Sequence, residues 1–296
     1  MGIIEVSNIT KDYGNNKGVF DVTFSVNKGE ILGFLGPNGA GKTTTIRQLM
    51  GFIRPDKGNV KINGLDCFDK AEEVQKVLGY LPGEIAFMDD MTGMEFIKFI
   101  GNMKGMKDFS SAEELMKFFE LDPSGKIKKM SKGMKQKIGI VCAFMQEPDI
   151  LILDEPTSGL DPLMQNEFIK LILEEKERGT TILMSSHSFE EIERTCDRAA
   201  IIKDGKIVSV ENISTLKESK QKIYSITFEN EEVAKDFLKE GFKIKDIDKN
   251  NVTVLVKGDI MPLIKSLGKY KVISLESKAQ SLEDLFMHFY GGESND

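Results

Sequence analysis

Hydrophobic residues along this chain gather into two kinds of run, and the switches between them outline the architecture. Strand-like runs come first: IIEVSNI, VFDVTFSV and EILGFL, all within residues 3–35. The glycine-rich stretch GPNGAGK then opens into TTTIRQLM, a helical segment that Gly51 closes. NVKING adds a β segment that turns at Asn63-Gly64, and LGYL (78–81) reads as a strand stopped at Pro82-Gly83. From about residue 84 to 147 the spacing changes: GMEFIKFIGNM and AEELMKFFE carry apolar residues three or four apart, as helices with one buried stripe do. DILILDEP is a continuous apolar run of the kind found in a strand buried on both faces. A helix over about 162–178, the strand TILMSS and the helix SFEEIERTC continue the alternation, and AAIIKDGKIVSV predicts a hairpin around Asp204-Gly205. Such alternation means an α/β layer on a largely parallel sheet.

The pattern changes again after about residue 216. KIYSITF, NEEVAKDFLKE, FKIKDI, NVTVLVK, IMPLIKSL and YKVISLE read as β, α, β, β, α, β, an order compatible with a small ferredoxin-like unit. A last helix, SLEDLFMHFY, starts with Ser281 and Asp284 in capping-box spacing. The predicted organisation is therefore a domain over residues 1–216, with its helical subdomain at about 84–147, and a small α+β domain over 217–296.

Composition narrows the class. At 296 residues, 40% hydrophobic and 29% charged, the chain has the balance of a soluble globular protein. No window approaches the run of roughly 18 apolar residues that a membrane-spanning helix needs. The opening MGIIEVSNIT lacks a signal-peptide design, and Val6 breaks the myristoylation pattern. Cys67, Cys142 and Cys196 are scattered, which predicts reduced thiols in a cytosolic setting. A net charge of −7 argues against a duplex-binding surface. Nine of the 15 methionines lie between Met88 and Met145, interleaved with phenylalanines, which is read as helical core for most of them.

The strongest local signal is Gly36-Pro37-Asn38-Gly39-Ala40-Gly41-Lys42-Thr43, a full G-x-x-x-x-G-K-[ST] motif between a strand and a helix. The glycines let successive N–H groups curve around phosphates, and the helix N-terminus adds partial positive charge. Lys42 would reach the β- and γ-phosphates and the Thr43 hydroxyl would ligate Mg²⁺. Asp154, at the end of the buried strand ILILD, stands where a metal-holding carboxylate belongs in such a fold. Glu155 beside it could take a proton from water attacking the γ-phosphate.

In order along the chain, GPNGAGKTT, MSKGMKQK (130–137), LILDEPTSGLDP and SSHSFEEIE (185–193) resemble the ATP-binding-cassette (ABC) ATPases. The resemblance covers roughly residues 3–215. It implies a P-loop NTPase core with an antiparallel β subdomain and a helical insertion, ATP and Mg²⁺ as cofactors, and Thr44 among the phosphate-loop contacts. Ser131 and Gly133 would belong to a signature loop that meets ATP held by a second copy of the cassette, so that two copies sandwich two ATP molecules. His187 would contact the γ-phosphate and orient Glu155 and the water. Asp161 would lie in the inter-cassette loop, and Tyr13 would stack on adenine. His288, on the apolar last helix, is read as structural. Departures are specific: Lys132 stands for a glycine of the family pattern, Met134 for a glutamine, and Gly83 for the glutamine that approaches Mg²⁺. Either Glu84 takes over that contact or the loop serves as a hinge without one.

The resemblance further implies an ATPase subunit serving a separate transmembrane permease, peripheral at the cytoplasmic face of the cell membrane. The C-terminal SLEDLFMHFYGG is similar to two-component exporters, with an importer ATPase as the alternative. An ABC-type ATPase acting on nucleic acid or the ribosome is the other alternative. It is disfavoured because the chain has one cassette, no coiled-coil insertion and an acidic balance.

Overall fold

The strand-period runs near the start of the chain form one sheet and the fully apolar runs form another. The structure, a computed structural model, describes residues 2–219, 222–256 and 258–279. The chain separates into units of Met1–Ile213 and Ser214–Asp296, so the division falls slightly before the compositional change, where helix α8 (Ile213–Ser219) begins. The predicted last helix, with Ser281, Asp284 and His288, lies outside the described residues.

In the first unit, β1 (Ile4–Asp12), β2 (Gly18–Val26), β4 (Lys57–Ile62) and β5 (Leu65–Asp66) make an antiparallel sheet in the order β2-β1-β4-β5. The second sheet has the order β10-β9-β3-β8-β7-β6. Its strands are β10 (Lys206–Asn212), β9 (Arg198–Lys203), β3 (Ile31–Leu35), β8 (Thr181–Ser186), β7 (Ile150–Asp154) and β6 (Leu78–Leu81). All its pairings are parallel except the β9–β10 hairpin. Every residue of β3, β7 and β8 is buried, which is why these runs carry no alternation. Helix α1 (Lys42–Leu49) lies between the sheets. Its Ile46 and Leu49 share one core with Ile4 and Val26 of the first sheet and with Leu32 and Leu183 of the second. Each such fully buried side chain contributes about 1.5–3 kcal/mol.

Helices α2 (Ala71–Lys76), α3 (Gly93–Met103), α4 (Ser110–Phe118) and α5 (Lys132–Phe144) occupy the predicted helical stretch and its approach. Thr92 and Glu95 form a reciprocal capping box that starts α3, and the backbone N–H of Thr92 holds the Glu95 carboxyl below its usual range. Apolar stripes then meet: Phe96 and Ile97 pack with Met116, Ile138 and Met145. Met116, Met130 and Met145 are buried, whereas Met88 and Met103 stand out in solvent. Helix α2 escapes sequence reading because only Val74 of its six residues is buried. Helices α6 (Pro162–Arg178) and α7 (Phe189–Thr195) complete the alternation.

The second unit runs β11 (Lys222–Phe228), α9 (Glu231–Phe237), β12 (Lys243–Asp248), β13 (Asn251–Val256), α10 (Met261–Leu267) and β14 (Val272–Ala279). Its sheet is antiparallel in the order β12-β13-β11-β14, the arrangement of a ferredoxin-like unit. Tyr224, Ile226 and Phe228 alternate inward onto Phe237 and Leu263, while Ser225 and Thr227 hydrogen-bond Asn251 on the other face. Among the described residues no helix is long and apolar enough to cross a membrane. The three cysteines are free, and burial pushes each thiol up to about 12.

Candidate functional site

Strands β7, β8 and β3 are hydrogen-bonded neighbours running the same way. Their C-terminal ends therefore lie side by side, and each carries a residue singled out from the sequence. The loop Gly36–Gly41 follows β3, Asp154 ends β7, and His187 follows β8.

The loop closes through positions that tolerate no side chain. Gly41 has φ 109°, and a Cβ there would meet Val19 Cγ1 at 2.5 Å; one on Gly36 would meet the Ile202 carbonyl at 2.4 Å. Gly41 caps α1 without a side-chain hydrogen bond, which leaves the first-turn N–H groups and their partial charge for an anion. The buried Lys42 ammonium donates to the carbonyls of Gly36 (2.6 Å) and Pro37 (3.2 Å) and lies 3.0 Å from Glu155 Oε1. Ala40 is buried and its N–H bonds the Pro37 carbonyl, tightening the turn. Asn38, Gly39, Thr43 and Thr44 line a cavity of about 440 Å³ together with Lys42 and Glu155. Tyr13, half-exposed just beyond β1, lines the same cavity.

Asp154 is fully buried. Its Oδ1 accepts from Ser185 Oγ at 2.6 Å, while Oδ2 has no hydrogen-bond partner. An orphaned carboxylate oxygen costs several kcal/mol unless something neutralises it. With the Thr43 hydroxyl on the same cavity of about 800 Å³, the donor set is all oxygen, which fits a hard divalent cation. Gly83 sits against this carboxylate: a Cβ there would be 3.2 Å from Oδ2. Glu84 lines the cavity and is exposed.

Glu155 has φ 50°, a left-handed conformation that costs a non-glycine residue about 1–2 kcal/mol. Its N–H is held by Ser185 Oγ at 3.0 Å, so one serine fixes both acids. Glu155 Oε2 is 2.6 Å from His187 Nδ1. Lys42, Glu155 and His187 thus form one chain of contacts, with Asp154 beside it.

Three other predicted residues lie elsewhere. Ser131 caps α5 by accepting the Met134 N–H at 3.2 Å, and Asp161 caps α6 by accepting the N–H groups of Leu163 and Met164, both at 3.0 Å. Gly133 abuts the next loop: its Cβ would stand 2.9 Å from the Gly159 carbonyl. None of the three lines either cavity. Lys132 stretches across the gap to donate to Ser158 Oγ at 2.9 Å. Buried Gln136 joins the same loops through the Pro156 carbonyl at 2.7 Å. Gln136, Ser185 and Glu191 escaped the sequence reading; for Glu191 the Ser188-x-x-Glu191 capping spacing was the available signal.

Comparison with known proteins agrees with this geometry. The family model described as ABC transporter matches residues 19–158. The bacitracin transport ATP-binding protein BcrA of Bacillus licheniformis is 33% identical over 300 residues, 98% of this chain and 98% of its own length. The linearmycin resistance ATP-binding protein LnrL of Bacillus subtilis (strain 168) is 36% identical, covering 70% of this chain and 68% of that one. A solved structure described as the ATP binding subunit of an ABC transporter superimposes with TM-score 0.66 at 33% identity, covering 73% of this chain and 92% of its own.

Proposed function

The chain belongs to the ATP-binding subunits of ABC transporters, and from that premise we propose that it powers outward transport through a separate membrane permease, by ATP-dependent closure of two copies and Glu155-assisted hydrolysis. It is an ATPase, as ABC ATP-binding domains are. The observation that carries the hydrolytic reading is the contact chain Lys42–Glu155–His187 beside the orphaned Asp154 oxygen. In this reading the Gly36–Thr44 loop holds the phosphates of ATP by its N–H groups and Tyr13 stacks on adenine. Lys42 exchanges its contact with Glu155 for the β- and γ-phosphates. Thr43 and Asp154 would hold Mg²⁺, which supplies counter-charge to the phosphate oxygens.

Glu155, freed from Lys42, accepts a proton from a water whose oxygen attacks the γ-phosphorus. The bond to the β–γ bridging oxygen breaks, and ADP and phosphate leave. His187 holds Glu155 through Nδ1 and turns its other ring nitrogen to the γ-phosphate. Ser131, Gly133 and Asp161 serve the copy opposite: α5 aims its N-terminus at the partner's nucleotide, so closure requires ATP at the interface. Export is supported by the relatives' names, one for bacitracin transport and one for linearmycin resistance.

Glu155→Gln tests this reading. Turnover should fall by about 10²–10⁴-fold, with ATP retained and a dimer formed in ATP-Mg²⁺ by light scattering. Inside-out vesicles holding the permease should accumulate its substrate with the wild type and not with this variant. Undiminished turnover removes Glu155 as base; a monomer in saturating ATP removes the two-copy closure; wild-type accumulation in right-side-out vesicles instead would reverse the direction.

A further inference from the structure

Behind the Glu155–His187 contact lies a buried carboxylate that the roles above leave unused. Glu191, in the first turn of α7, is only 6% exposed. Its Oε2 accepts a hydrogen bond from Ser186 Oγ at 2.5 Å. Ser186 Oγ accepts the Ser188 N–H at 2.9 Å, and Ser188 Oγ accepts the Glu191 N–H at 3.3 Å. These bonds close a ring around the turn that carries His187. The other oxygen, Oε1, is buried with no hydrogen-bond partner, and Thr157 lines a cavity of about 500 Å³ together with His187, Ser188 and Glu191. Thr157 stands two residues after Glu155, on the loop leaving β7.

The Glu191 side chain therefore holds the turn that carries His187, and it shares a cavity with Thr157 on the loop that carries Glu155. A residue that only filled space here would be apolar, because burying a carboxyl is costly unless its bonds do something. Burial raises the Glu191 carboxyl above its usual range, and the Ser186 and Thr157 hydroxyls oppose this. The nearby Glu155 carboxylate adds to the rise and His187 works against it.

We propose that Glu191 is a positioning residue for ATP hydrolysis: by holding Ser186, and through it the turn at Ser188, it fixes the His187 ring against Glu155. It touches no substrate atom and acts through the turn. The inference rests on Glu155 and His187 being the hydrolytic pair.

The test uses the full chain with ATP-Mg²⁺. Glu191→Ala and Ser186→Ala should each lower kcat by about tenfold while the Kd for ATP stays within about twofold. The double variant should lose no more than the worse single one, since both remove the same link. Glu191→Gln, whose amide oxygen still accepts from Ser186, should keep activity within about threefold. The chain has two histidines, so the His187 imidazole resonance can be followed: it should move in Glu191→Ala and return in Glu191→Gln. Unchanged kcat in both alanine variants overturns the proposal, as does an equal loss in the glutamine variant. If Glu191→Ala does not fold, Ser186→Ala alone decides. Undiminished turnover in Glu155→Gln would instead remove the underlying pair, whatever the Glu191 variants do.

Discussion

Helix α1 and the helices α5 and α6 all start at residues the sequence marks for nucleotide chemistry, yet their first turns are satisfied differently. At α5 and α6 a side chain, Ser131 or Asp161, accepts the free N–H groups of its own helix. At α1 the capping residue is Gly41, which offers no side chain, and the loop before it is open at Gly39, where an added Cβ would meet nothing. A helix start that caps itself is stable alone and gains only modestly from an anion. One capped only by glycine gives up a few tenths of a kcal/mol of capping energy and leaves its first-turn N–H groups for phosphate. The uncapped start is also where a buried lysine and two acids converge, so the binding and hydrolytic ends of the fold coincide in one copy. The capping residues of α5 and α6 line neither of the two cavities at the uncapped start.

The largest effect should come from the uncapped side. Lys42→Ala removes the cation that pairs with Glu155 and leaves the Gly36 and Pro37 carbonyls without their donor. ATPase activity should drop by about 10²–10³-fold, measured as phosphate release at saturating ATP. Near-wild-type turnover would mean that the loop amides alone suffice, and the contrast between the helix starts would lose its meaning.

That side was also the legible one. The loop, Lys42 and Thr43 are contiguous, and Asp154-Glu155 ends an apolar run whose burial on both faces could be read directly. The C-terminal βαββαβ order was readable for the same reason: alternation along β11 and β13 reports which face packs on helices. What holds the site in shape was not readable. Ser185 reaches Asp154 across 31 residues and Lys132 reaches Ser158 across 26, and no local periodicity encodes such contacts. The left-handed backbone of Glu155 is likewise invisible in a sequence, because glutamate has no preference for it. Ser131 and Asp161 illustrate the reverse case: their motifs are plain, but one copy of the chain occupies both side chains with its own helices.

An intermediate effect is expected at those caps. Losing either one should cost about 1 kcal/mol of stability, read as a lower midpoint in urea. If the Ser131 hydroxyl also meets the partner's nucleotide, Ser131→Ala should reduce ATPase activity by about tenfold beyond what partial unfolding explains. Asp161→Asn keeps the cap acceptor and should leave stability nearly unchanged. Equal, purely thermal effects of Ser131→Ala and Asp161→Ala would reduce both residues to ordinary caps.

The smallest effect concerns the turn after β6, where Gly83 replaces the glutamine of the family pattern. The backbone there already faces the acid: a Cβ would stand 3.2 Å from Asp154 Oδ2, close enough that the carboxylate must yield by a few tenths of an ångström. A glutamine could then bring an amide N–H to the orphaned oxygen, which is worth about 1 kcal/mol. Gly83→Gln should therefore raise the thermal midpoint without nucleotide and change turnover by less than about tenfold. Glu84 is exposed at the cavity edge, and Glu84→Ala should leave turnover within about twofold. A tenfold loss in Glu84→Ala would mean that the neighbouring acid supplies the missing contact. With both variants near wild type, the turn works as a joint without a side-chain contact to Asp154.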